Sequence, residues 1–260
     1  MLKSNYWNSF WRWLITISTY YFYNKKIRSF RENYNFFLEV INQALKQNEK
    51  NPDKFLDAFL LLSHKALFDL QSAFTLWIAA LYGSAFCLCE VLLRTQRMTA
   101  SLLLKPELID DYLDEEKTSD KDGVFRQKFG EGSLKKILDE RFGKEERGKY
   151  ANMEKAVHGS SVGIKIYYSK IRYNEDGSKG GDITFDANYE PEKAGAIISI
   201  LKALPIDMAG VFLEKYMDNA EVKVLMNKYW PLLKRELRDN VKDVIEVEVL
   251  DSLRKGKVKL

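Results

Sequence analysis

Two histidines are the only imidazoles in the 260 residues, and their settings differ. His64 lies in the body of an expected helix beside Lys65, where a surface or half-buried residue without chemistry is the simpler reading. His158 ends a helical pattern in Val157-His158-Gly159-Ser160-Ser161; the glycine can turn the chain, and two hydroxyls follow it directly. An imidazole changes charge near neutrality, so with a cation to hold a phosphate it can serve general acid–base chemistry on RNA or a nucleotide. The structural alternative is a protonated ring that caps the negative end of the helix dipole.

The companions available to His158 follow from helical geometry. Glu154 and Lys155 are one turn back on the same face. Arg147 shares nearly the same bearing but stands roughly 16 Å away along the axis, so the two can line one groove without touching. Lys155, Arg147, Ser160 and Ser161 are therefore the candidate substrate-binding residues. A guanidinium from elsewhere is offered by Arg94 and Arg97, three residues apart and hence on one face of a central helix. Arg94 has an alternative use, an ion pair with Glu90 four positions before it.

Other site chemistries find little support. Gly177-Ser178-Lys179-Gly180-Gly181 lacks the Lys-Thr or Lys-Ser ending of a phosphate loop, and no serine-hydrolase elbow occurs. Cys87 and Cys89, the only cysteines, point about 200° apart on a helix, which suits neither a disulfide nor zinc; they read as reduced core residues. The acidic stretch Glu107, Asp110, Asp111, Asp114, Glu115, Glu116, Asp120, Asp122 matches neither an EF-hand nor a helical ligand pair. Neither a metal nor a cofactor is expected.

Those side chains must be positioned by a mainly helical chain. With 46% hydrophobic residues it can bury a substantial core, and with only five prolines and 14 glycines it spends little on turns. Phe30, Tyr34, Phe37, Leu38, Ile41 and Leu45 recur at helical spacing. Asn51-Pro52-Asp53 reads as a cap with proline in the first turn of a second helix, whose seam is Phe55, Phe59, Leu62, Ala66, Leu67 and Leu70. Helical pattern continues to Leu104, with Gly83-Ser84 as the expected break and Pro106 as the stop. Ser133 is expected to cap a helix through Phe142, and another runs from Lys144 to His158. The period changes at Ile164, Ile166 and Tyr168, then Ile183 and Phe185, which predicts a β-hairpin around the turn at 174–181. Helices are expected again over 191–204, 206–216 and from Ala220, with a bend at Pro231; the alternating 244–250 tail fits a strand or a helical turn equally.

Two stretches bear on membranes. Tyr6 to Tyr23 is crowded with aromatic residues and followed by Lys25, Lys26 and Arg28, a pattern compatible with an interfacial helix, although packing against the rest of the chain is the simpler outcome. Leu70 to Cys89 carries no charge, but Gln71, Ser72, Thr75, Gly83 and Ser84 fit a bundle helix better than a bilayer span. The near balance of 41 basic and 37 acidic residues suits a soluble chain, and reduced cysteines favour a cytoplasmic setting.

Leu92-Leu93-Arg94 on a core helix, the acidic Asp110-Asp111-Tyr112, and the run from Tyr150 to Val157-His158-Gly159-Ser160 together resemble a bacterial helical family related to the HEPN superfamily, over roughly residues 55–162. The resemblance implies a HEPN-like helical bundle that forms homodimers. It also implies metal-independent RNA cleavage by an arginine and a histidine on one helix, in a toxin or antiviral defence setting. His158 matches the histidine, whereas Asn152, Met153 and Glu154 stand where the arginine four to six residues ahead belongs. The catalytic set is then His158 with Arg94 or Arg97 from the central helix. A non-catalytic interaction protein of a defence complex is the other reading. The expected division is N-terminal helices over 1–50, a HEPN-like core over 51–162, the hairpin over 163–189 and packed C-terminal helices over 190–260, in one unit.

Overall fold

The computed structural model describes residues 3–114, 123–142, 168–173, 179–183 and 191–240. The chain is mainly α. Residues 3–50 merge the expected aromatic and amphipathic segments into one helix, α1 (Lys3–Lys50). Ile27, Phe30, Phe36, Phe37, Val40, Ile41 and Ala44 are buried, a broader face than the expected seam, while Leu45 of that seam is exposed. The width reflects three neighbours rather than one, as described below.

The second helix, α2 (Lys54–Ile78), starts two residues later than Asn51-Pro52 implies. Asp53 is the cap: its backbone is extended and its carboxylate accepts the Phe55 amide at 2.8 Å. The Asn48 side chain accepts the Asp53 amide in turn, which fixes the corner between α1 and α2.

The expected break at Gly83-Ser84 falls earlier. Leu81 N–H reaches back to the Leu76 carbonyl at 2.9 Å and Ala80 N–H to the Trp77 carbonyl at 3.0 Å, the paired bonds of a Schellman ending. Ala80 therefore occupies the left-handed position, with φ of 56°, where glycine is the usual choice. Gly83 and Ser84 instead lie in the first turns of α3 (Tyr82–Leu104). Because a β-carbon is disfavoured at that φ, Ala80→Gly is expected to raise stability by about 0.5–1 kcal/mol, read as a higher midpoint in thermal unfolding.

Lys105 leaves the helical region before Pro106, with φ of −130° and ψ of 74°, and ends α3; a residue before proline is disfavoured in the helical region. A 3-10 turn (Pro106–Leu108) leads into α4 (Ile109–Leu113). After the next described residue, Gly123, come α5 (Val124–Phe129) and α6 (Glu131–Phe142). Ser133 does not cap α6; it lies inside the first turn, and its hydroxyl donates to the Gln127 carbonyl. Strands β1 (Tyr168–Tyr173) and β2 (Lys179–Ile183) pair antiparallel, Tyr173 opposite Lys179 and Tyr168 opposite Ile183.

The two helices expected over 191–204 and 206–216 are one, α7 (Pro191–Lys215), with Pro205 inside it. Proline removes one helical hydrogen bond and crowds the preceding turn. In that turn the Lys202 carbonyl accepts a hydrogen bond from the Asn33 amide of α1 at 2.8 Å. Burial outweighs the local defect: Ala194, Ile197, Ile198, Leu201, Leu204, Met208, Ala209 and Phe212 are all sealed in the core. Asn219 caps α8 (Ala220–Asn240), which also continues through its proline, Pro231.

The core sits around α7. This helix packs on α1, α3 and α2; α2 packs along α3, α6 lies on α3, and α8 closes over α1. Trp77 is fully buried, donates its indole N–H to the Ala194 carbonyl at 2.8 Å, and meets Tyr23 edge-on. Among the described residues only Ala194–Lys215 is long and apolar enough to cross a membrane, and most of it is buried inside the protein. Leu70 to Cys89, weighed above as a span, is interrupted at 79–81.

Candidate functional site

The central helix carries both candidate arginines, and their surroundings differ. Leu92, Leu93, Thr95, Met98 and Thr99 are buried between the neighbours of α3, and Arg97 is buried with them at 5% exposure. Its guanidinium forms an ion pair with Glu131 in the first turn of α6, where the helix dipole favours a carboxylate. Lys135 approaches the same carboxylate at 3.8 Å. Arg97 therefore ties α6 to α3 and has little surface left for a substrate phosphate.

Arg94, one turn earlier, is exposed. The ion pair expected with Glu90 is not formed, and among the described residues Arg94 has no carboxylate partner. Shared face in the sequence thus becomes opposite fate in the fold, because α6 covers one end of that face only.

His64 is an exposed residue of α2, and its Nδ1–H donates to the Leu60 carbonyl at 2.9 Å. The adjacent Lys65 pairs with Asp69 one turn on. Cys89 is buried, and burial first, then the neighbouring Cys87, pushes its thiol up to about 12; it stays a neutral core group. His158, Arg147, Lys155, Ser160 and Ser161 lie outside the described residues, as does the alternating segment 244–250.

The acidic stretch is partly accounted for by ion pairs. Asp110 meets Lys54 at 2.6 Å, and Asp111 meets Lys128, so α4 is stitched to α2 and α5. Among the described residues no group of three or more His, Cys, Asp or Glu side chains could hold a metal ion.

Two polar centres escaped the sequence reading. Glu236 of α8 is 1% exposed; Ser29 donates to it at 2.6 Å and the Lys202 ammonium stands at 2.9 Å. Burial pushes its carboxyl up, but the hydrogen bonds from Ser29 and Lys202 outweigh this and hold it below the usual carboxylate range. Its signal is present in the sequence: Val222, Leu225, Leu232 and Leu233 mark the buried period of α8, and Glu236 falls on it. At the other end of the bundle, Tyr216 donates to Asp53 at 2.6 Å, with Lys215 at 4.0 Å. Burial, then that hydrogen bond, pushes the phenol up, so it remains a neutral strut between α7 and the α2 cap.

No protein-family model, curated protein or solved structure matches this chain.

Proposed function

We propose that the chain is a HEPN-like helical protein acting on RNA or nucleotides by metal-independent acid–base chemistry, in a defence or toxin setting. His158 is the acid–base group and Arg94 the phosphate-binding cation; Arg147, Lys155, Ser160 and Ser161 line the substrate path. The observation that carries the assignment is the contrast on α3, where Arg97 is committed to Glu131 while Arg94 is exposed without a carboxylate partner. A guanidinium is suited to a phosphate because it presents a planar fork of donors and stays charged.

The test is cleavage of single-stranded RNA by purified protein in chelator. His158→Ala and Arg94→Ala are each expected to lower the rate by about 10²-fold or more while leaving the helical circular-dichroism signal intact. An inactive wild-type protein, or full activity in both variants, would sink the proposal.

A non-catalytic interaction protein is the second reading, and one observation favours it. Leu61 and Phe68, seven residues apart on α2, are 59% and 71% exposed. That spacing gives one helix face a repeated apolar anchor suited to a partner helix or a second copy. Under this reading the wild-type protein cleaves nothing and both variants behave as it does.

A further inference from the structure

We propose that the outer face of α1 between Ile17 and Arg31 docks on a membrane surface rich in anionic phospholipid. Four of the eight large hydrophobic side chains exposed among the described residues fall within six positions: Ile17 at 45%, Tyr20 at 39%, Tyr21 at 80% and Phe22 at 67%. The same stretch is held to the protein by its other side. Thr19, Ile27 and Phe30 are buried, Phe30 stacks on Phe74, and Tyr23 meets Trp77. The helix is thus fixed in place while it displays an aromatic edge.

Charge follows the aromatics. The chain has no acidic residue before Glu32, yet carries Lys25, Lys26, Arg28 and Arg31 directly after the exposed rings. Further along the molecule, several surface cations are paired with carboxylates, Lys50 with Glu221, Lys54 with Asp110, Lys228 with Glu39 and Arg235 with Glu32, although Arg94 is not among the described residues. Lys25 and Arg28 are exposed and have no carboxylate partner among the described residues. Arg31 instead donates to the Tyr20 hydroxyl, and Lys26 to the Ser199 hydroxyl, each at 3.3 Å.

The arrangement along the helix identifies the occupant. At the helical repeat, Ile17, Tyr21, Asn24 and Arg28 share one stripe. Tryptophan and tyrosine favour headgroup depth, and a helix with such a stripe lies in the plane of the interface. Cations grouped at one end of the stripe, rather than interleaved with the rings, suit phospholipid headgroups beside an inserted aromatic edge. A nucleic-acid strand would call for alternation of rings and cations along its track. The face is on α1 and does not depend on Arg94 or His158.

The test is flotation of the intact protein with vesicles of phosphatidylcholine containing phosphatidylserine, an anionic lipid of the cytoplasmic leaflet. Wild type is expected to float with these vesicles and to be released by high salt. Tyr21→Asp with Phe22→Asp, and separately Lys25→Glu with Arg28→Glu, are each expected to lower the floated fraction at least 10-fold without altering the thermal midpoint. Failure of the wild type to float overturns the proposal, as does flotation that survives both pairs of substitutions. Self-association of the wild type that Tyr21→Asp with Phe22→Asp abolishes, without flotation, also overturns it and gives the face to a second copy.

Discussion

Arg97→Ala is expected to cost about 3–5 kcal/mol of stability, measured as a lowered midpoint in urea at unchanged slope. The guanidinium side chain is 7% exposed and Glu131 23% exposed, so truncation leaves a carboxylate in a largely dry position beside Lys135. A surface pair would be worth under about 1 kcal/mol, which makes the size of the effect diagnostic. Removing both charges together, as Arg97→Met with Glu131→Gln, should restore much of the loss, because the cost comes from the orphaned partner rather than from the missing attraction. A loss below about 1 kcal/mol for Arg97→Ala would show that the pair does not hold α6 on α3. Any activity lost in this variant is expected to track unfolding, in contrast to Arg94→Ala.

Glu236→Ala should cost a similar amount at neutral pH, about 3 kcal/mol, since it removes the buried carboxylate that accepts from the Ser29 hydroxyl and pairs with the Lys202 ammonium between α1, α7 and α8. The pH dependence has a definite sign. Glu236 is held below its unfolded value, as are Glu39 through Lys228 and Tyr229 and Glu221 through Lys50 and Gln43. Carboxylates of this kind contribute stability above the unfolded value of about 4.3 and lose it as pH falls through the folded value. Wild-type stability should therefore decline below about pH 4.5, and Glu236→Gln should unfold along a shallower acid limb. Parallel acid limbs in the two proteins would remove Glu236 from the account.

Hydrophobic period made the helices legible. Phe55, Phe59, Leu62, Ala66 and Leu70 are buried along α2 as their spacing implies. Boundaries were harder, since they depend on competition between local rules and packing. Pro205 looked like a stop, yet α7 continues because its neighbours bury it on several sides. Gly83 looked like the turn, yet an alanine takes the left-handed position three residues earlier, where the Schellman bonds close. Arg97 and Glu236 share one lesson. Cys89, Leu93 and Arg97 fall at four-residue steps, all buried, so a charge on the apolar period announces an internal ion pair before it announces a substrate. What no period could supply is which end of the Arg94–Arg97 face α6 would cover, because that depends on a contact between helices distant in sequence.

The division of labour between these two arginines is tested most directly by single-turnover cleavage of single-stranded RNA, with Arg94→Ala and wild type compared at equal folded concentration. A rate about 10²-fold lower is expected for Arg94→Ala, with an unchanged unfolding midpoint. An Arg94→Ala protein that cleaves at the wild-type rate would contradict that division.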